Sequence, residues 1–244
     1  CSIVVSVAAV SLKDIQAENK EFARNRDVLA AAGLYDPSKD SKADVEQKFA
    51  DFKVKLVDFS SGAYLSEEQL ASLGIDPMKY DQRRAARSGD DRLAIKVDGP
   101  GFKTQARYGL VYVLEKDGAI DRVVLPLHGY GLWSILYGFM AIEGDGDTIL
   151  GLTFYEHGET PGLGGEVDNP KWKAQWPDKK LFNSDGQLAI EITKGGQADL
   201  SSDYEVDGLS GATLTTVGLN NLLHYWLGNA GFGSYLAKLK AGEV

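Results

Sequence analysis

The spacing of hydrophobic and polar positions changes along the chain, and each change marks a different kind of element. Residues Cys1-Ser2-Ile3-Val4-Val5-Ser6-Val7-Ala8-Ala9-Val10-Ser11-Leu12 carry no charge, and the first ion is Lys13. From Lys13 to Leu34 the apolar residues Ile15, Phe22, Val28 and Leu29 stand among Asp, Glu, Lys and Arg, and Gly33 is placed as a helix stop. This predicts a charged helix that continues out of the uncharged run. Asp36 to Ser41 reads as a polar linker. Ala43 to Phe52 and Ser66 to Leu73 read as short helices, the second with a capping signature in Ser66, Glu68 and Gln69. Residues 76–91, with Arg83, Arg84 and Arg87, read as a solvated loop or helix face.

Beyond them the pattern becomes that of strands. Tyr108 to Glu115 and Ile120 to Leu127 are apolar runs joined by Lys116-Asp117-Gly118-Ala119, where glycine supplies the positive φ that a hairpin turn needs. Phe139 to Glu143 and Thr148 to Glu156 flank Gly144-Asp145-Gly146-Asp147. That loop reads as a second turn, because it lacks the spacing and terminal Glu of a calcium-binding loop. Leu188 to Thr193 is a further short strand, and two helical stretches separated by glycines end the sequence. The expected class is α+β, an antiparallel sheet with helices, preceded by a stalk helix.

A membrane-spanning helix needs about 20 apolar residues. The twelve at the start are therefore read as the C-terminal part of a span whose first turns lie upstream. A buried β-prone strand or a lipid-modified Cys1 are the alternatives. The expected organisation is residues 1–34 as end of span plus stalk, and residues 35–244 as one main domain, for which the 244 residues suffice.

Charge and cysteine content narrow the function. With 26 Lys plus Arg against 35 Asp plus Glu the net charge is -9, which leaves no basic surplus for a nucleic-acid backbone. Cys1 is the sole cysteine, so a disulfide within the chain and a multi-cysteine zinc or iron–sulfur site are excluded. His128, His157 and His224 are not paired at metal-ligand spacing, and no metal site is expected.

The segment with most chemical content is Asp207-Gly208-Leu209-Ser210-Gly211-Ala212-Thr213-Leu214-Thr215-Thr216. It precedes a helical stretch whose apolar stripe is read as Leu214, Val217, Leu222, Leu223 and Trp226. Free backbone N–H groups and the dipole at such a helix start favour an anion. No Lys or Arg occurs between Gly195 and Lys238, so a phosphate there would meet only neutral donors, which suits the single charge of a phosphodiester. Helix physics alone allows an ordinary capped helix as well, with Ser210 or Thr213 as the cap.

The string Asp207-x-x-Ser210-Gly211-Ala212-Thr213 resembles the acceptor motif of flavin transferases, in which the Thr hydroxyl is esterified to the FMN phosphate. His157-Gly158-Glu159-Thr160-Pro161-Gly162-Leu163-Gly164 resembles the E-T-P-G-L-G loop of FMN-binding domains, and Gly129-Tyr130-Gly131-Leu132-Trp133 the segment that places an aromatic beside the isoalloxazine. With the N-terminal stalk, these motifs are similar to the C-subunit family of sodium-translocating NADH:quinone reductases. The flavin motifs lie within residues 100–230. The G subunit of the Rnf complex shares the acceptor motif and is the runner-up. A membrane-tethered scaffold without cofactor is a rival from a different class. A hydrolase with Thr213 or Ser210 as nucleophile lacks an oriented base, since His224 lies eleven residues along the same helix.

The resemblance implies one FMN joined through its phosphate to Thr213, with Asp207, Ser210, Gly211, Ala212, Leu214 and Thr215 around the attachment point. It implies Glu159, Thr160, Leu163, Gly164 and Trp133 at the ring, and no catalytic residue of the chain's own. Asp207 is expected either to be read by the transferase or to cap its loop. The implied partners are the other membrane subunits of the reductase and, during maturation, a flavin transferase. The implied setting is a bacterial inner membrane, crossed once, with the flavin domain on the periplasmic side. Nothing in the chain reads as a nicotinamide or quinone site, because Gly162-Leu163-Gly164-Gly165 lacks the Rossmann spacing.

Overall fold

The computed structural model describes residues 2–95 and 99–244, and side chains from Leu12 onward except that of Asp14. Cys1 lies outside the described residues. Helix α1, Ser2–Ala31, is continuous through the uncharged run and the charged stretch. It ends as predicted at Gly33, whose φ of 69° lies in the left-handed region. Among the described residues no helix is long and apolar enough to cross a membrane.

Besides two short 3-10 helices, Pro77–Lys79 and Gly164–Asp168, the remaining elements begin with α2 (Lys42–Ala50), β1 (Phe52–Asp58), β2 (Ala63–Tyr64), α3 (Glu67–Leu73), α4 (Gln82–Ser88), β3 (Leu93–Ala94) and β4 (Thr104–Gln105). There follow β5 (Tyr108–Lys116), β6 (Ala119–Tyr130), β7 (Ile135–Glu143), β8 (Ile149–Glu156), α5 (Pro170–Lys173), β9 (Glu191–Ile192), β10 (Glu205–Val206), α6 (Thr213–Leu227) and α7 (Gly233–Ala241). Six strands form one sheet in the order β2-β1-β5-β6-β7-β8, antiparallel at every pairing.

The expected hairpin between β5 and β6 forms, with positive φ at both Asp117 and Gly118. The capping box of α3 also forms, with Ser66 Oγ accepting from the Gln69 amide and Gln69 Oε1 from the Ser66 amide. Two expectations about elements are corrected. The helix expected over Ala43 to Phe52 stops at Ala50, and Phe52 begins β1, a strand the sequence reading did not contain. The alternation Phe52-Lys53-Val54-Lys55-Leu56 pairs in register with β5. Of Leu188 to Thr193 only Glu191–Ile192 is a strand, and it pairs in parallel with β10.

Period-two alternation places a core on each face of the sheet. Val111, Val113, Val123, Leu125, Leu127, Leu136, Met140 and Ile142 face α6 and α7, while Tyr112, Val124, Phe139 and Ala141 face α1 and α2. Within the first core Trp226 of α6 is fully buried, and its indole N–H donates to the His128 carbonyl at 2.6 Å.

The imidazole of His128 lies 4.5 Å from the Phe102 ring and 4.8 Å from that of Trp226. Burial, with the nearby Arg83 guanidinium adding to it, pushes its pKa down to about 3. An unfolded histidine titrates near 6.5. As the pH falls below that value the unfolded chain therefore takes up the proton first, and stability that is complete above about pH 6.5 drains away towards pH 3. His128 is expected to account for about 2 kcal/mol of the stability lost between pH 7.5 and pH 5. Urea unfolding at the two pH values measures this, and His128→Leu should narrow the difference by that amount. An unchanged difference would remove His128 as the source.

Candidate functional site

The three sequence segments singled out above meet at one end of the sheet. Gly129 and Tyr130 end β6, residues 131–134 make the turn into β7, and the turn closes through Gly131 N–H donating to the Ser134 carbonyl at 2.9 Å. The 157–164 loop leaves β8, and α6 begins at Thr213. Glycines permit the close approach. A Cβ at Gly218 of α6 would collide with the Tyr130 carbonyl, and one at Gly164 would stand 2.6 Å from Thr215 Oγ1.

Glu159 sits where the segments meet and is 5% exposed. Its Oε1 accepts from the Trp133 amide at 2.9 Å, the Ser134 amide at 3.0 Å and Ser134 Oγ at 3.2 Å. Its Oε2 accepts from Thr215 Oγ1 at 2.7 Å and the Leu132 amide at 3.2 Å. Burial opposes ionisation, but the Thr215 hydroxyl and the three amides outweigh it and hold the carboxyl below the usual carboxylate range. The group is thus ionised throughout neutral pH, and its contribution to stability is lost only as the pH falls through that lowered value.

The first turn of α6 inverts the expected amphipathic pattern. Thr215 and Thr216 are buried, at 1% and 5% exposure, whereas Leu214 and Val217 are exposed at 61% and 50%. Leu214 and Val217 therefore do not belong to the buried face of α6, to which Leu219, Leu222, Leu223, Tyr225, Trp226 and Leu227 contribute. Thr216 Oγ1 accepts from the Leu209 amide at 3.3 Å, and the Thr215 hydroxyl is bound to Glu159. Thr213, by contrast, is exposed. No side chain caps the helix: the capping position is Ala212, so neither Ser210 nor Thr213 plays the capping part that helix physics allowed. The backbone N–H groups of Thr213, Leu214 and Thr215 find no acceptor among the described residues.

Around this helix start, exposed apolar side chains of the three segments, Leu214 among them, make up a shelf. Trp133 is 71% exposed, so it is no core anchor, and Leu132 and Leu163 are also open to solvent. Leu163 approaches Gly211, whose φ of 73° turns the chain into the helix. Thr160 is exposed, with its carbonyl accepting from the Leu163 and Gly165 amides. Gly164 and Ala212 are buried, and Ser210 and Gly211 are exposed. Asp207 is turned the other way. Its Oδ1 accepts from the Gly196 and Gln197 amides at 2.7 and 3.1 Å, which ties the 194–198 turn to the segment leading into α6. Ser134, whose amide and hydroxyl both reach Glu159, stands just beyond the Gly129–Trp133 segment and carries no sequence signal of its own.

Fold and site define a flavin-carrying domain: residues 131–228 match the family model of the FMN-binding domain. The chain is 47% identical to the C subunit of the Na(+)-translocating NADH-quinone reductase of Pseudomonas aeruginosa, over 100% of its own length and 92% of that protein. It is 43% identical to the corresponding C subunit of Vibrio parahaemolyticus, with the same coverage. The crystal structure of Shewanella oneidensis NqrC superposes with a TM-score of 0.81 at 34% identity, covering 92% of this chain and 99% of that one. The chain belongs to the C-subunit family of Na(+)-translocating NADH-quinone reductases. That membership bears out the C-subunit resemblance over its runner-up, the Rnf G subunit.

Proposed function

We propose that the chain is the flavin-bearing electron-transfer subunit of a sodium-translocating NADH:quinone reductase, and that its FMN is esterified through the phosphate to Thr213. One observation carries the choice of residue. Of the three threonines at the start of α6, only Thr213 is exposed, while the hydroxyls of Thr215 and Thr216 are engaged inside the fold. The exposed hydroxyl stands at an uncapped helix start with free amides, which suits a phosphodiester. The apolar shelf of Trp133, Leu163 and Leu214 suits the flat ring, with Thr160 supplying polar contact. Ser210, Gly211 and Ala212 shape the approach to the hydroxyl, and Asp207 holds the segment in the form that a flavin transferase reads.

When bound, the isoalloxazine would supply one-electron redox chemistry between neighbouring carriers. The protein's part is to hold it. A covalent tether keeps the cofactor in place through every redox state, whatever the affinity of each. NADH oxidation and quinone reduction belong to the other subunits. In this reading α1 is the stalk that leads to the bacterial inner membrane, and the flavin domain stands on the periplasmic side. The limits are 1–34 for the end of the span with the stalk and 35–244 for the flavin domain, into whose second core the last turns of α1 pack.

Trypsin leaves residues 195–238 as one peptide, because no Lys or Arg interrupts them. From chain produced beside an active flavin transferase, that peptide is expected to carry the mass of FMN less one water, with fragmentation placing it on Thr213. An unmodified peptide refutes the covalent reading, and modification at Thr215 refutes the choice of residue.

A further inference from the structure

The carboxylate of Glu159 is directed inward on both oxygens, and what it binds is the scaffolding of the site. Three successive amides of the β6–β7 turn, Leu132, Trp133 and Ser134, converge on it as they would on a bound anion. The Ser134 and Thr215 hydroxyls complete the set. All five donors are neutral, and among the described residues no Lys, Arg or His is paired with it. The surroundings crowd it on two sides. A Cβ at Gly131 would stand 2.8 Å from Oε1, and one at Gly164 would stand 2.7 Å from Oε2.

We infer that Glu159 is a positioning residue: its carboxylate clasps the β6–β7 turn to the first turn of α6, and thereby fixes where Trp133 stands relative to the Thr213 hydroxyl. Trp133 is suited to such control, since its amide is held by Oε1 while its side chain is 71% exposed and has little packing of its own. Thr215, two residues from Thr213, ties the same carboxylate to the helix, so turn and helix start are registered through one group. Buried charge held by neutral dipoles is costly to disturb, because each donor left unpaired pays its own desolvation. The consequence for the flavin rests on the function proposed above; the clasp itself does not.

The test uses the full chain in flavin-free and flavin-bearing forms. In the flavin-free chain, Glu159→Gln keeps the shape but turns one acceptor into a donor facing either the amides or the hydroxyl. Amide exchange at Leu132, Trp133 and Ser134 should quicken about 10- to 100-fold, with central β6 amides changing little. Thr215→Val should quicken exchange at Leu132, and Thr215→Ser should leave it as in the parent. In the flavin-bearing chain, Glu159→Gln and Thr215→Val should lose the visible circular dichroism of the held flavin, while Thr215→Ser keeps it. Unchanged exchange at 132–134 would overturn the clasp, and faster exchange with an unaltered flavin signal would overturn its positioning role. If Glu159→Gln does not fold, the contrast between Thr215→Val and Thr215→Ser decides on its own. A parent chain that never acquires flavin would sink the proposed function and leave the exchange result standing.

Discussion

Thr213→Ala, produced beside an active flavin transferase, is expected to give a folded, colourless chain with no covalent flavin. Thr215→Ala and Thr216→Ala should keep the cofactor through denaturation. The difference follows from where three like hydroxyls point. Thr213 is exposed in the first turn of α6, so its truncation should change stability by no more than about 0.5 kcal/mol. Thr215 and Thr216 spend their hydroxyls on Glu159 and the Leu209 amide, so truncating them loosens local packing without removing the acceptor. Flavin fluorescence of the denatured chain and its intact mass provide the measurement. A folded Thr213→Ala chain that still carries flavin covalently, or a folded Thr216→Ala chain that has lost it, would contradict the assignment.

The second large effect belongs to a tryptophan far from solvent. Trp226→Ala is expected to cost about 3–5 kcal/mol, a large share of the roughly 5–15 kcal/mol that stabilises an ordinary domain. The Trp226 ring lies within 6.0 Å, centroid to centroid, of Phe59, Phe102, His128, Tyr225 and Phe232, and it also gives the indole hydrogen bond to the His128 carbonyl. Removing it opens a void between the sheet and α6 that such packing cannot close. Trp133→Ala provides the control. Its side chain is mostly exposed, so stability should move by about 0.5 kcal/mol or less while the held flavin is affected. Urea unfolding separates the two, and a Trp226→Ala chain within about 1 kcal/mol of the parent, well under the cost of core truncations, would show that the core tolerates the loss.

The contrast between these tryptophans shows what was legible beforehand. The sheet could be read where turn chemistry and alternation agree, as at Asp117-Gly118 and along Tyr108 to Glu115. Strand β1 was missed because the helical pattern of Ala43 to Ala50 runs straight into it. Only a single residue, Asp51, separates the two elements. Motif resemblance singles out residues 207–216, but the apolar spacing there places Leu214 and Val217 in the core of α6, where they are not. A helical wheel at about 100° per residue already argues otherwise. It groups Thr215 and Thr216 with Leu219, Leu222, Leu223 and Trp226, and leaves Leu214 and Val217 on the far side. The clasp at Glu159 had no local signal, since its partners lie 25 to 27 residues upstream and 56 downstream. Only the fold brings them together.

Helix α1 contains neither Gly nor Pro between Ser2 and Ala31, and its last turns are sewn to β7 and β8 through Val28, Leu29 and Ala31. A rod with no joint converts sequence length into angle. Each residue inserted or deleted before Phe22 would raise or lower the sheet by only about 1.5 Å, yet would swing it by about 100° around the helix axis. The bearing of the α6 shelf is therefore set by helical phase, with no slack in the connection to absorb an error.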